Sequence, residues 1–385
     1  MSYDVDGVRA REFPWAEQGE AVYLNHASTG PLPQRTLEAL RAFDDLRAHP
    51  YRLPDDFLFE TLARGRELVA RLIRVAPEEI ALAVNTTYGL NLAAFALPLG
   101  PGDVVLTPDR EFPANVYPWM QLAKRRGVVY RRIACCDGDV DEQALRRELE
   151  DPAVRALAVS WVGFATGYTV DLEALGRACR ARGAFFIVDA IQGLGPLTLD
   201  ARACHVDILA CGAQKWLLSP WGSGFVYVRR ELIERLEPNV VSWMAVQGSD
   251  DFTRLVDYDL TWRDDARRFE LITLPYQDFA GMNASLELLH ELGPQAVADH
   301  VAHLADIIVL WAAAQRDVEL ATPSTPRHRA GIVALRMPNA SAVSEALKAA
   351  KVTHSLREGA IRLSPHFYNT RDEVRWALEV IERSL

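Results

Sequence analysis

The 385-residue sequence has no Cys-x-x-Cys pair and no Cys/His spacing of the kind that holds zinc. Its five cysteines, Cys135, Cys136, Cys179, Cys204 and Cys211, are odd in number. A disulfide framework or a metal site is therefore not expected, and a chain this long buries enough core to need neither. No run approaches 18 apolar residues, and the N-terminal MSYDVDGVRAREF lacks the apolar core of a signal peptide. No membrane span is expected, and the reducing cytoplasm is the expected location. Basic runs are scarce too: 42 Lys+Arg face 52 Asp+Glu, a net charge of −10. The nearest approach to a basic patch is Lys124-Arg125-Arg126, which reads as a solvated helix end where cations complement the dipole. Nucleic acid and anionic membrane are thus excluded as main partners. A dinucleotide fingerprint is missing as well. Gly193-Leu194-Gly195 and Gly222-Ser223-Gly224 lack the third glycine and the context between a first strand and its helix, which argues against a nucleotide-binding dehydrogenase.

What is present is ordinary globular composition, 49% hydrophobic and 24% charged, with a regular alternation of patterns. Short apolar, β-branched runs predict strands at Ile80–Val84, Val104–Thr107, Val128–Ile133, Ala156–Ser160, Phe185–Val188, Ile208–Ala210 and Gly224–Val228. Amphipathic stretches such as Leu90–Leu97, Pro113–Arg126, Asp141–Glu150 and Leu172–Arg182 lie between them. Strands separated by helices imply an α/β fold with a mainly parallel seven-stranded sheet covered on both faces. Beyond about residue 275, long helical segments (Asp278–Leu292, Pro294–Ala314) lead into a smaller α+β region with strands near Ile332–Arg336 and Ala360–Leu363. Thr370-Arg371-Asp372-Glu373 reads as the capping box of a last helix. The expected division is a large domain over 21–277 and a C-terminal domain over 278–385, with residues 1–20 packing on the latter.

Ligands of open α/β sheets bind beyond the carboxyl ends of the strands, so the polar residues there come first. In FFIVDAIQG (185–193), an apolar strand ends in Asp189, with Gln192 three residues on. Such a carboxylate is either a helix N-cap or the partner of something cationic. In CGAQKWLLSPWGSGFVYV (211–228), Lys215 follows a strand inside an apolar, aromatic stretch. Either its ammonium snorkels to water, or desolvation lowers its pKa and makes it a Schiff-base nucleophile. In VNTTYGLNLAA (84–94), a helix opens at Thr86-Thr87. Plain capping explains that alone, but free N–H groups, two hydroxyls and the helix dipole also make a phosphate cradle. In this order, with the lysine 26 residues beyond the aspartate, the three supply what pyridoxal phosphate (PLP) requires. The cradle takes the phosphate, the aspartate the pyridine nitrogen, and the lysine the aldehyde.

With these motifs the chain resembles the class V aminotransferase family of fold-type-I PLP enzymes, which includes cysteine desulfurases, selenocysteine lyases, kynureninases and isopenicillin-N-epimerase-like proteins. The resemblance runs from YLNHASTGPLP (23–33) to IRLSPHFYNT (361–370). It implies that Lys215 carries the cofactor as an internal aldimine, that Asp189 meets the pyridine nitrogen, and that Gln192 contacts the phenolic oxygen. Thr86 and Thr87 match the phosphate turn, with Gln214 a further donor beside the lysine, and Phe112 matches a ring stacked on the cofactor. Thr273 matches a threonine that reaches the neighbouring subunit's phosphate, which implies a homodimer with shared active sites. Arg362 matches the arginine that grips a substrate α-carboxylate, with His26 and Ser28 expected near the substrate.

Departures from the family pattern narrow the reaction. The Ser and His often found before the lysine are Ala213 and Gln214, and Ser160–Gly167 offers no amide where an asparagine is common. The glycine of the usual Gly-Thr pair is Ile272. KAAKVTHSLREGA, between Leu347 and Arg362, holds no cysteine where a desulfurase keeps its nucleophile. The expected activity is therefore amino-acid transamination or epimerase-like chemistry. The alternatives are C–S or C–Se β-elimination without a catalytic cysteine, and a catalytically silent PLP-fold module.

Overall fold

The computed structural model describes residues 3–54, 56–136 and 138–385. Helices of seven or more residues and the strands of the two larger sheets are numbered here. Ahead of the sheet lie α1 (Val5–Glu12), α2 (Gln34–Ala48) and α3 (Phe57–Ile73). Then follow β1 (Ile80–Leu82), α4 (Thr86–Ala96), β2 (Val104–Pro108), α5 (Tyr117–Arg126), β3 (Val129–Ile133) and α6 (Glu142–Glu148). The sheet is completed by β4 (Val154–Ser160), α7 (Leu172–Arg182), β5 (Phe185–Asp189), β6 (Ile208–Gly212) and β7 (Gly224–Val228).

These seven strands form one sheet in the order β1-β7-β6-β5-β4-β2-β3, in which only β7 runs antiparallel to its neighbours. The expected α/β architecture is therefore present. Strands buried on both faces still alternate. In β4, Leu157 and Val159 join the core on one side while Ala156 and Ala158 join the core on the other. The strand order reverses between β2 and β4, and such a switch point opens a crevice at the carboxyl ends of the strands. Two expected elements are shorter than their patterns. β1 stops at Leu82 rather than Val84, and Pro113–Asn115 forms a separate 3₁₀ turn before α5, which has Pro118 in its first turn.

The C-terminal part comprises α8 (Tyr276–Leu292), α9 (Pro294–Ala314), β8 (Glu319–Leu320), β9 (Val333–Arg336), α10 (Ala340–Ala349), β10 (Ser355–Arg357), β11 (Ala360–Leu363) and α11 (Arg371–Glu382). Its strands make an antiparallel sheet in the order β10-β11-β9-β8. α8 sits on α2 and α3, where Thr36 and Ser285 share a hydrogen bond of 2.7 Å and Asn283 donates to the Thr61 carbonyl. α9 is, among the described helices, the one long and apolar enough to cross a membrane. Its buried residues recur at helical spacing: Val297 and Val301 join the core of the large sheet, and Leu304, Ile308 and Ala312 join the C-terminal core. α11 opens with the expected capping box: Thr370 Oγ1 accepts from Glu373 N–H while the Glu373 carboxylate accepts from Thr370 N–H. The N-terminal segment packs on this region, with Phe13 stacked on Tyr368 at 4.0 Å and Arg9 bonded to the Tyr368 carbonyl and Glu373.

α4 leans on β6 and β7 through Gly89, where a Cβ would lie 2.7 Å from side-chain carbons of both Ala210 and Val226. Overpacking costs about 1–3 kcal/mol, against about 1 kcal/mol that alanine gains over glycine inside a helix. Gly89→Ala should therefore lower the urea midpoint of the protein; an unchanged or raised midpoint would show that the helix has room to shift.

Candidate active site

The crevice at the switch point gathers residues from several strand ends. Asp189 closes β5, buried, with a hydrogen bond of 3.0 Å from the Ile191 N–H. Burial raises its carboxyl to about 6, against the pull of that N–H and of Lys215. Lys215 lies just beyond β6 in a turn closed by Leu218 N–H to the Lys215 carbonyl. Its ammonium lies 5.7 Å from the centre of the Phe112 ring. Burial lowers the amine to about 8; Asp189 opposes that shift, and the nearby charges of Arg362 and Arg357 add to it. Phe112 follows β2, is 45% exposed, and meets Phe164 edge-on at 5.4 Å. A large ring exposed beside a half-buried amine is a wall that a flat ligand can cover.

Asn85, rather than either threonine, caps α4: its side chain accepts from the Tyr88 N–H at 2.8 Å. Thr86 is thereby released to accept from the Gly212 N–H at 2.8 Å, tying the helix start to the end of β6. The remaining N–H groups of the first turn have no acceptor within the helix and, with the dipole, present positive potential. Thr87 stands exposed at that turn, and Gln214, next to Lys215, is half-buried. A Cβ on Gly212 would sit 2.5 Å from the Gln214 Oε1 and 3.3 Å from the Thr86 Oγ1, so a larger residue there would displace the Gln214 amide from the cradle.

Arg362, on β11, is 2% exposed. Its Nε donates to Ser355 Oγ (3.0 Å), Nη1 to the Phe164 carbonyl (2.6 Å) and Nη2 to Ser28 Oγ (2.9 Å). No carboxylate among the described residues pairs with it. Three of its five N–H groups are spent on neutral acceptors and two are left. A buried guanidinium in that state is oriented for an anion that comes from outside the chain. Ser28, held in turn by Asn25, is thus an aligning residue for Arg362.

Other expected residues sit differently. Gln192 donates to the Ala27 carbonyl and accepts from the Trp216 indole, so one amide hydrogen is left for a ligand. His26 is fully buried, bonded to the Ser364 carbonyl and the Tyr368 hydroxyl, and tilted against Trp216 at 6.0 Å. It braces the residue after Lys215 and does not face the crevice. His366 does the same through the Trp216 carbonyl at 2.8 Å. Thr273 is exposed, and its hydroxyl has no partner among the described residues. Glu111 was not foreseen. Its carboxylate accepts the Ser160 N–H at 2.7 Å and the Ser160 hydroxyl, and burial raises it to about 7. Its place directly after β2 at the switch point was the available signal.

Comparison with known proteins identifies the family. The family described as Aminotransferase class-V matches residues 22–376. The chain belongs to that family. An uncharacterized aminotransferase, YcbU, of Bacillus subtilis is 32% identical over 82% of each chain. An isopenicillin N epimerase of Streptomyces clavuligerus is 32% identical over 92% of each. A probable cysteine desulfurase of Methanothermobacter thermautotrophicus is 28% identical over 94% of each. Among solved structures, the apo cysteine desulfurase of Thermococcus onnurineus superposes with a TM-score of 0.88 at 24% identity, over 100% of this chain and 99% of that one. The class-V fold is PLP-dependent, and the residues present fit the group. A cradle floored by Gly212, a buried carboxylate, an amine of lowered pKa and an exposed ring converge on one crevice.

The electrostatics of this crevice carry opposite signs that can be read separately. In the cofactor-free protein, Lys215 should react with an amine-directed reagent with a midpoint near pH 8. Asp189→Asn removes the charge that favours the ammonium and should move the midpoint down. Arg362→Gln removes a repelling cation and should move it up. Peptide-resolved labelling measures both, and shifts of the same sign would contradict the arrangement.

Proposed function

We propose that this PLP-dependent enzyme acts on an amino acid, as an aminotransferase or with epimerase-like chemistry, through Lys215. The observation that carries the reading is Arg362: a buried guanidinium with no anionic partner, coupled electrostatically to the Lys215 amine. A substrate α-carboxylate bound there in a bidentate fork brings the amino group and Cα toward Lys215.

When bound, PLP supplies an electron-withdrawing ring that makes the substrate Cα–H acidic. Thr86, Thr87 and Gln214 would hold its phosphate at the start of α4, and Phe112 would cover its ring. Asp189 would keep a proton on the ring nitrogen, with Gln192 offering its remaining N–H to the phenolic oxygen. Lys215 Nζ accepts the proton from substrate Cα. An amine lowered to about 8 both takes and returns a proton near neutral pH. Where that proton returns separates transamination from epimerisation. The isopenicillin N epimerase likeness supports this pair. β-Elimination is the second reading, supported by the likeness to desulfurases. It would run without a thiol in the 347–362 segment. Cys135, near the crevice, has its thiol pushed up to about 12 and is a poor nucleophile.

The unpartnered Thr273 hydroxyl supports a homodimer with shared sites, as do exposed Val240, Val241, Trp243, Val256, Tyr258 and Leu260 in one segment. The cytoplasm remains the proposed location.

Purified protein should be yellow, and borohydride should fix the cofactor irreversibly to the peptide carrying Lys215. Arg362→Ala should leave that band intact while raising the amino-acid concentration for half-maximal response about 10- to 100-fold. An amino-acid panel scored for keto acid, inverted stereochemistry, or pyruvate with sulfide then assigns the reaction. Sulfide release from cysteine at the fastest rate in the panel would overturn the first reading in favour of the second. A protein whose band answers to no amino acid would be a silent module.

A further inference from the structure

A second arginine shares the face of Arg362. Across the antiparallel β10–β11 pair, Ser355 opposes Arg362 and Arg357 opposes Ala360. Residues two apart on a strand point the same way. Arg357 and Arg362 are therefore diagonal neighbours across the pair, roughly 7–8 Å apart at the backbone. The bond from Arg362 Nε to Ser355 Oγ fixes that face, and Arg357 lines the same cleft as Phe112, Phe164 and Ala360. Like charges at this separation repel. Each arginine nevertheless lacks a carboxylate partner, and the Arg357 guanidinium has no hydrogen bond among the described residues.

The other charged groups of the cleft do not neutralise the pair. Glu111 is held by Ser160, and burial raises it to about 7, so near neutral pH it is only partly ionised. Arg336 is paired with Glu319 at 2.6 Å. Arg110 adds a further cation to the lining, and Glu358 lies exposed in the hairpin turn with φ of 47°. The exposed Arg357 lines this cleft, its charge acts on both Lys215 and Arg362, and the chain supplies a carboxylate to neither arginine.

We propose that Arg357 is a specificity-determining residue that binds a second anionic group of the substrate. The preferred substrate is then an α-amino acid whose side chain ends in a carboxylate or equivalent oxyanion. Arg362 takes the α-carboxylate and Arg357 the distal one. This rests on the amino-acid reading above and names the substrate class within it.

The test compares L-aspartate and L-glutamate with L-asparagine and L-glutamine, titrated into the holoenzyme and followed by cofactor absorbance. Each pair differs in one charge at nearly constant shape. Calorimetry with glutarate against butyrate gives a binding readout that involves no reaction. The acids should bind about 10- to 100-fold more tightly than their amides, and glutarate more tightly than butyrate. Arg357→Ala should abolish both differences without changing amide affinity or the thermal midpoint, and Arg357→Lys should restore part of the preference. Equal affinity of acids and amides in the unsubstituted enzyme overturns the proposal while leaving the amino-acid reading intact. So does an equal loss for both classes in Arg357→Ala. If no member of either pair changes the absorbance while another amino acid of the panel does, the proposal falls and the amino-acid reading stands; if no amino acid of the panel does, both fall.

Discussion

The crevice depends on keeping an amine, a carboxylate and a guanidinium out of water without letting them neutralise one another. Lys215 and Asp189 influence each other's protonation, and burial pushes each toward its neutral form. A direct ion pair would quench both. Asp189 instead takes a backbone N–H from Ile191, and Arg362 spends its bonds on a carbonyl and two hydroxyls. Neutral partners fix direction and leave charge uncompensated. That arrangement weakens the apoprotein and prepares it for a ligand that brings its own phosphate, ring nitrogen and carboxylate.

The scaffold around the crevice maintains that poise through close packing rather than further charge. Trp216, the residue after Lys215, has its indole held by Gln192, its carbonyl by His366 and its ring against His26. All three supports are buried, and burial lowers both histidines, His366 to about 4, so they stay neutral through the range in which the crevice groups titrate. Gly193 belongs to the same device: a Cβ there would lie 2.2 Å from the Trp161 ring. Ser160–Gly167, the segment that offers no amide, instead gives the Phe164 backbone carbonyl to Arg362.

Much of this was legible in the sequence because it rests on local signals. Apolar runs separated by amphipathic stretches fix the parallel sheet, and Asp189, Lys215 and Thr86 all fall at strand ends on one edge of it. The capping box at Thr370 was readable because both partners lie within four residues. What escaped depends on contacts across long separations. His26 looked like a pocket residue because it falls within the family-like YLNHASTGPLP segment, yet its ring nitrogens are taken by Ser364 and Tyr368, more than 330 positions away. Asn85 capped the helix assigned to threonine capping, because three consecutive residues, Asn85, Thr86 and Thr87, all suit the role. Glu111 carries no motif of its own. Its role appears once β2 and β4 are neighbours and Ser160 stands beside it.

The same dependence on register explains why the hairpin matters more than its composition suggests. Arg362 stands out in the sequence, whereas Ser355, Arg357 and Ala360 read as ordinary polar and small residues around a Glu-Gly turn. Pairing Ser355 with Arg362 puts all four on one face, and a shift by one residue would send Arg357 and Ser355 to the other side. The turn therefore sets how many positive charges the crevice contains. On the proposed reading, Arg362 takes the α-carboxylate that every amino acid shares, and Arg357, diagonal to it, meets the part that differs. On that reading, binding common to all substrates and discrimination among them come from neighbouring positions of one two-stranded ribbon. Changes in the side chains of this hairpin can alter selectivity while the lysine and aspartate, on separate elements of the large sheet, keep their geometry.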